Sequence, residues 1–136
     1  MLRSDTPDGS RLLATDYSDN SLSIINLDNP SNVQNLKIAP LALPGHYQLA
    51  PVRVAATSKN TAFVYAGTTD ASGDGGELYE VNLNTLKVSL RTDSGMGFLQ
   101  ILGNLLGGSK DGKRIYMAAP EDSGGYVMEW DAATDM

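Results

Sequence analysis

The chain has 136 residues, no cysteine, and 16 acidic against 10 basic side chains, for a formal charge of −6. This balance argues against a nucleic-acid partner, because neutralising phosphates with Lys and Arg supplies most of the affinity for one. The lack of cysteine excludes disulfides, thiolate metal sites and cysteine nucleophiles. No apolar run approaches the roughly 18 residues of a membrane helix, so a globular chain without a membrane span is expected.

Residues 1–10, MLRSDTPDGS, lack the apolar core of a signal peptide, and the first five are too short and polar to predict a strand. Residues 11–15 and 21–27 read as antiparallel strands joined through 16–20, and 32–38 as an outer strand with weak alternation. The stretch 39–51, APLALPGHYQLAP, is proline-rich and predicts an irregular connection, since proline lacks the donor that a strand ladder needs. Residues 52–57, 62–67, 77–83 and 85–90 then predict four strands. Residues 91–99 form a second long connection, 100–106 another inner strand, and 114–118 and 126–131 the last two. No helix is expected, although 98–106 is apolar enough to suit either element by periodicity.

Three stretches repeat one pattern: TPDGSRLLATDYSDNSLSIIN (6–26), TSKNTAFVYAGTTDASGDGGELYEVN (57–82) and SKDGKRIYMAAPEDSGGYVMEWD (109–131). Each is a Gly or Asn turn, an alternating segment, an acidic loop and a second alternating segment. Taking Gly9, Asn60 and Gly112 as equivalent, 51 and 52 residues apart, puts Leu12, Phe63 and Ile115 in one column. Ala14, Tyr65 and Met117 fall in the next, again without gaps. Further on, Leu22, Leu78 and Val127 coincide, as do Ile25, Val81 and Trp130. Self-similarity near this period, in short strands rich in β-branched and aromatic residues, points to propeller blades. The expectation is an all-β, antiparallel, incomplete β-propeller, with blades near 6–38, 52–90 and 100–136. The alternative is a small β-sandwich.

The (S/T)xD-Gly turn, the apolar strand after it, and a later strand ending in hydrophobic-Asn or Trp-Asp resemble the repeats of bacterial WD40-like and YVTN-type β-propellers. In that family the Trp-Asp pair ends the third strand of a blade, which matches Trp130 and Asp131; Ile25-Asn26 and Val81-Asn82 stand there in the other repeats. The family's Gly-His is matched by Gly45-His46, with Gly97-Phe98 in the next repeat. The blade order so implied gives strands two to four of one blade, a whole second blade, and strands one to three of a third. Related families include lactonase-like hydrolases, so a propeller enzyme is the alternative the resemblance permits.

Carboxylates mark the loops between second and third strands: Asp16 and Asp19, Asp70 and Asp74, Glu121 and Asp122. Equivalent loops share one face of a propeller, and carboxylates beside flexible glycines are suitable oxygen ligands for Ca²⁺. The competing reading is that Asp and Gly are there as turn formers. Asp70, Asp74 and Glu77 are the weak metal candidate, without the ligand spacing of an EF-hand. His46, the single histidine, and Tyr47 lie in the proline-rich connection and join Asp70, Asp74, Glu121 and Asp122 as candidate ligand contacts. No catalytic residue and no cofactor are assigned: GxSxG, HExxH and GxxxxGK(S/T) patterns are absent. The function expected is non-catalytic binding or scaffolding, with loops presented to a protein, peptide or glycan. An incomplete propeller also leaves two blade faces and two strand edges uncovered, so self-association through the terminal blades is expected. For the acidic loops, the turn-former reading expects saturating Ca²⁺ to leave the melting temperature unchanged. A rise of several degrees, reversed by chelator, would instead identify a site selective for the folded state.

Overall fold

The structure, a computed structural model, describes residues 2–16, 19–38, 49–68, 76–91, 105–119 and 126–136. All regular structure among them is antiparallel β, in three sheets. Sheet 1 runs β1 (Leu2–Asp5), β2 (Arg11–Asp16), β3 (Ser21–Asn26) and β4 (Val33–Lys37) in simple meander order. Sheet 2 repeats that order with β5 (Leu49–Ala56), β6 (Thr61–Thr68), β7 (Gly76–Asn82) and β8 (Val88–Leu90). Sheet 3 holds β9 (Leu105–Gly108), β10 (Arg114–Ala119) and β11 (Tyr126–Asp131). The first strands lie side by side, with β5 packed against β1 and β2 on one side and β9 on the other.

Strand β1 corrects the expected blade order, because sheet 1 has all four strands. Its sequence, LRSD, carries no apolar alternation for a period-two search to find. It is held instead by its backbone register with β2, from Leu2 opposite Thr15 to Asp5 opposite Leu12, and by the Ala56 N–H donating to Ser4 Oγ at 3.2 Å. The fourth strand of sheet 2 is shorter than expected: 85–87 belong to the β7–β8 turn, where Asn82 Oδ1 accepts from the N–H groups of Asn84 and Thr85.

Two cores fill the spaces between sheets. Between sheets 1 and 2 lie Leu13, Leu22, Ile24 and Ile38 against Val54, Ala62, Val64, Tyr79, Val81 and Leu83. Between sheets 2 and 3 lie Ala55, Phe63, Tyr65 and Leu78 against Ile115 and Trp130. Sheet 2 is therefore apolar on both faces, and alternate residues of β6 go to opposite cores.

The turns that start the second strands explain where the sequence columns slip. In sheet 1 the Thr6 N–H donates to the Arg11 carbonyl, and in sheet 3 the Ser109 N–H donates to that of Arg114. In sheet 2 the Thr57 N–H donates to Thr61, one residue sooner. The gapless column of Leu12, Phe63 and Ile115 is thus out of step at sheet 2. The structural equivalents are Leu12, Ala62 and Ile115, facing the preceding sheet, and Leu13, Phe63 and Tyr116, facing the following one. Ala14, Tyr65 and Met117 likewise become Ala14, Val64 and Met117. A one-residue slip moves every side chain to the other face. The later columns hold, since Leu12, Ala62 and Ile115 pair with Ile25, Val81 and Trp130.

The turns converge at one end of the sheets. The Ser58 N–H donates to the Gly112 carbonyl at 2.8 Å, and a Cβ added to Gly112 falls 2.5 Å from Pro7 Cγ and 2.6 Å from Ser58 N. Gly9 and Gly112 share the left-handed region, with φ of 73° and 69°, but a Cβ on Gly9 meets nothing within 4 Å. Gly9→Ala is therefore expected to lose only the conformational term, about 1–2 kcal/mol. Gly112→Ala adds overpacking against backbone, for about 2–5 kcal/mol in all. Urea denaturation followed by circular dichroism separates the two, and equal losses would show that the crowding at Gly112 is absent.

Candidate functional site

The two ends of the sheets are built differently. At the turn end, each sheet closes with a short hydrogen-bonded loop. Asp8 Oδ1 accepts from the Ser10 N–H at 3.0 Å and from the Thr6 and Ser10 hydroxyls, both at 2.7 Å. Asp111 Oδ1 accepts likewise from the Lys113 N–H at 3.1 Å and the Ser109 hydroxyl at 2.7 Å. These donors set the acidity of both groups. The Ser10 N–H first, then the Thr6 and Ser10 hydroxyls, lower Asp8 to about 2; the Ser109 hydroxyl, then the Lys113 N–H, hold Asp111 below the usual carboxylate range. At the same end Asn26, Asn82 and Asp131 each accept from the N–H two residues on, at 2.9, 2.9 and 2.8 Å. The Asp of the Trp-Asp pair is here the cap of a turn.

Between the first two turns lies a cleft of about 350 Å³ lined by residues 6–8 and Arg11 of the first and by Thr57, Ser58 and Asn60 of the second. Arg11 crosses it, donating to the Leu83 carbonyl at 3.1 Å and to Asn60 Oδ1. One such charge-assisted bond is worth about 1.5–3 kcal/mol, so Arg11 is first of all a tie between sheets 1 and 2. A different tie joins sheets 2 and 3. Arg91 donates to Asp135 Oδ1 at 3.0 Å and to the Asp135 carbonyl at 3.1 Å, and lies 5.5 Å from the Phe63 ring centroid. Trp130 Nε1–H donates to Asp135 Oδ1 at 3.1 Å, and its ring meets Phe63 edge to face at 4.9 Å. Trp130 and then Arg91 lower the Asp135 pKa. Sequence reading missed both ties, because each arginine acts on a partner more than forty residues away.

At the opposite end, strand ends flank the other five connections, the two longest in the chain among them: Asp16 and Ser21, Lys37 and Leu49, Thr68 and Gly76, Leu90 and Leu105, Ala119 and Tyr126. The candidate contacts His46, Tyr47, Asp70, Asp74, Glu121 and Asp122 lie outside the described residues, and of the metal candidate only Glu77 is described, in β7. Asp16 and Asp19 are described. Asp16 Oδ1 accepts from the Asp19 N–H at 3.2 Å, while Lys37 Nζ bonds Asp19 Oδ1 at 2.5 Å and the Asp19 carbonyl at 2.8 Å. Lys37, then the Ser21 hydroxyl, lowers the Asp19 pKa. Among the described residues no three of His, Asp and Glu gather as a metal site, and no helix is long and apolar enough to cross a membrane. Tyr65, Tyr79 and Trp130 pack between sheets, whereas Tyr116 is exposed.

Three meandering sheets set side by side, first strands together and turns gathered at one end, have the arrangement of propeller blades, and comparison with solved structures agrees. The chain is similar to TolB from Acinetobacter baumannii, at 13% identity and a TM-score of 0.63, over 100% of this chain and 30% of that one. The fold is that of a partial β-propeller. It is also similar to the dihydro-heme d1 dehydrogenase NirN, solved in complex with DHE, at 20% identity and a TM-score of 0.51, over 96% of this chain and 25% of that one. The chain spans less than a third of either, and at these identities the likeness is one of fold alone. No family model and no curated protein matches the sequence.

The lowered carboxylates fix a pH dependence. Each is more acidic folded than unfolded, so its contribution is complete above the ordinary carboxylate value of 3.8 and is lost as pH falls through its lower folded value, which for Asp8 is about 2. Melting temperature is therefore expected to fall between about pH 4 and pH 2, and to fall less steeply in a variant carrying both Asp8→Asn and Asp111→Asn. Parallel curves for variant and parent would remove these turns from the acid response.

Proposed function

We propose that this chain is part of a non-catalytic binding or scaffolding propeller of the WD40-like and YVTN-type repeat group, presenting one end to a protein, peptide or glycan. The observation that carries this reading is the contrast between the ends. At one, turns are short, tied by Asp, Asn, Ser and Thr side chains and bonded from blade to blade. At the other, the chain places its longer connections, 38–48 and 91–104 among them, on strand ends held by two packed cores. Binding residues are disproportionately on loops positioned by a rigid scaffold. His46, Tyr47, Asp70, Asp74, Glu121 and Asp122 all belong to these connections and are the proposed contacts.

The test is selection of ligands from a peptide display library and a glycan array on the immobilised chain. Asp70→Ala with Asp74→Ala, and Glu121→Ala with Asp122→Ala, are expected to weaken a selected ligand about tenfold or more without moving the melting temperature. Lys113→Ala, at the turn end, is expected to leave it unchanged. Failure to select any ligand, or loss of binding only with the turn-end variant, overturns the assignment. Turnover of a lactone panel that disappears with the loop variants would move the reading to a hydrolase.

A further inference from the structure

The cleft between the first two turns is closed on one side by the third. Gly112 stands so near Pro7 and Ser58 that a Cβ on it would fall 2.5 Å from Pro7 Cγ and 2.6 Å from Ser58 N, and its carbonyl accepts the Ser58 N–H. The cleft's volume, about 350 Å³, lies at the lower end of the range of roughly 300–1,000 Å³ that small molecules occupy. Its walls carry two kinds of polar atom. Thr6 Oγ1 and Asp8 Oδ1 bond each other at 2.7 Å, and Thr57 Oγ1 bonds Thr61 Oγ1 at the same distance, so these are engaged within their own turns. Asp8 Oδ2, Ser58 Oγ and Asn60 Nδ2, by contrast, bond nothing among the described residues.

Arg11 adds a charge to these. Two of its N–H groups go to neutral oxygens, the Leu83 carbonyl and Asn60 Oδ1. No ion pair among the described residues matches its charge, and the rest of its fork can still donate to an acceptor. After the Ser10 N–H and the Thr6 and Ser10 hydroxyls, the charge of Arg11 also lowers the Asp8 pKa. Arg11 and Asp8 therefore stand near each other in one cleft without joining. The guanidinium is held against the second turn, where Asn60 and Ser58 add donors, while Asp8 and its unengaged oxygen belong to the first. The cleft is thus polarised, with an anionic acceptor on one wall and a cationic group of donors on the other.

We propose that this cleft binds a free α-amino acid as its zwitterion, with the ammonium on Asp8 Oδ2 and the carboxylate on the N–H groups of Arg11 and Asn60 and the Ser58 hydroxyl. A planar guanidinium fork suits a carboxylate, and hydrogen bonds to charged groups are roughly twice as strong as those between neutral ones. A ligand with a single charge satisfies one wall and meets a like charge at the other. A neutral polyol bonds both walls but matches neither charge. The site is at the turn end, apart from the loop-end contacts proposed above, and stands whether or not those bind a ligand.

Isothermal titration calorimetry of the chain with L-alanine tests it, beside N-acetyl-L-alanine, which keeps only the carboxylate, L-alanine amide, which keeps only the ammonium, and glucose. L-alanine is expected to bind about tenfold or more tighter than either single-charge analogue, as loss of one charged hydrogen bond implies, and glucose to give no binding heat. Asp8→Asn keeps an oxygen for the turn's own donors and is expected to bring L-alanine down to the affinity of N-acetyl-L-alanine, with circular dichroism unchanged. Ser58→Ala, which removes an exposed and unengaged hydroxyl, is expected to weaken L-alanine about threefold or more. No binding of L-alanine, equal affinity for L-alanine and N-acetyl-L-alanine, or an L-alanine affinity indifferent to Asp8→Asn each overturns the proposal. Glucose binding as tightly as L-alanine overturns it too, in favour of a polyol.

Discussion

A sheet that is apolar on both faces must be covered twice, and the rest of this structure follows from that demand on the middle blade. Strand β6 sends Ala62, Val64 and Ala66 one way and Phe63 and Tyr65 the other, and all five are buried. Period-two geometry makes such a strand a continuous apolar run with no polar side to give to water. It can be satisfied only between two neighbours of its own kind, which is why the blades stand in a row instead of folding back into a two-layer sandwich.

The two joints so formed are chemically unlike. The first is mainly aliphatic, its core built from Leu, Ile, Val and Ala with Tyr79, and it is fastened at the turn end by Arg11 donating to neutral oxygens. The second is aromatic, with Phe63 edge-on to Trp130, and it is rimmed by charge: Arg91 against Asp135 and Glu80, with Lys59 Nζ 5.9 Å from the Trp130 ring. The first joint therefore has little to lose to salt. The second carries an exposed carboxylate, Asp135, at its edge, whose attraction weakens as ionic strength rises.

The sequence made the strands legible where turn chemistry and alternation coincide. Thr6, Asp8 and Gly9, and again Ser109, Asp111 and Gly112, announce the same turn through the same side-chain bonds. Residues 126–131, which follow the glycine pair 124–125, form β11 with the bounds expected. Strand β1 was not legible, because a short strand paired through its backbone beside a polar edge needs no apolar alternation. The face of each side chain in β6 was misassigned for a different reason. Asn60 resembles the turn glycines in its positive φ of 58°, so it invites alignment with them, yet the loop around it is one residue shorter. The ties made by Arg11 and Arg91 are long-range in sequence and carry no local signature. Of the loop carboxylates, Asp16 and Asp19 could be followed into the structure, where they serve their own turn and Lys37; the candidate contacts themselves lie outside the described residues.

Trp130 is the only tryptophan in the chain, and it stands entirely within the second joint, with its ring on Phe63 and its N–H on Asp135. Its emission is thus a local gauge. Separation of blades 2 and 3 takes the indole out of an apolar, hydrogen-bonded setting, whereas separation of blades 1 and 2 at the aliphatic joint leaves that setting untouched. A fluorescence trace and a trace of total β content would coincide only if both joints open together, so their divergence measures how far this row of blades behaves as one cooperative body.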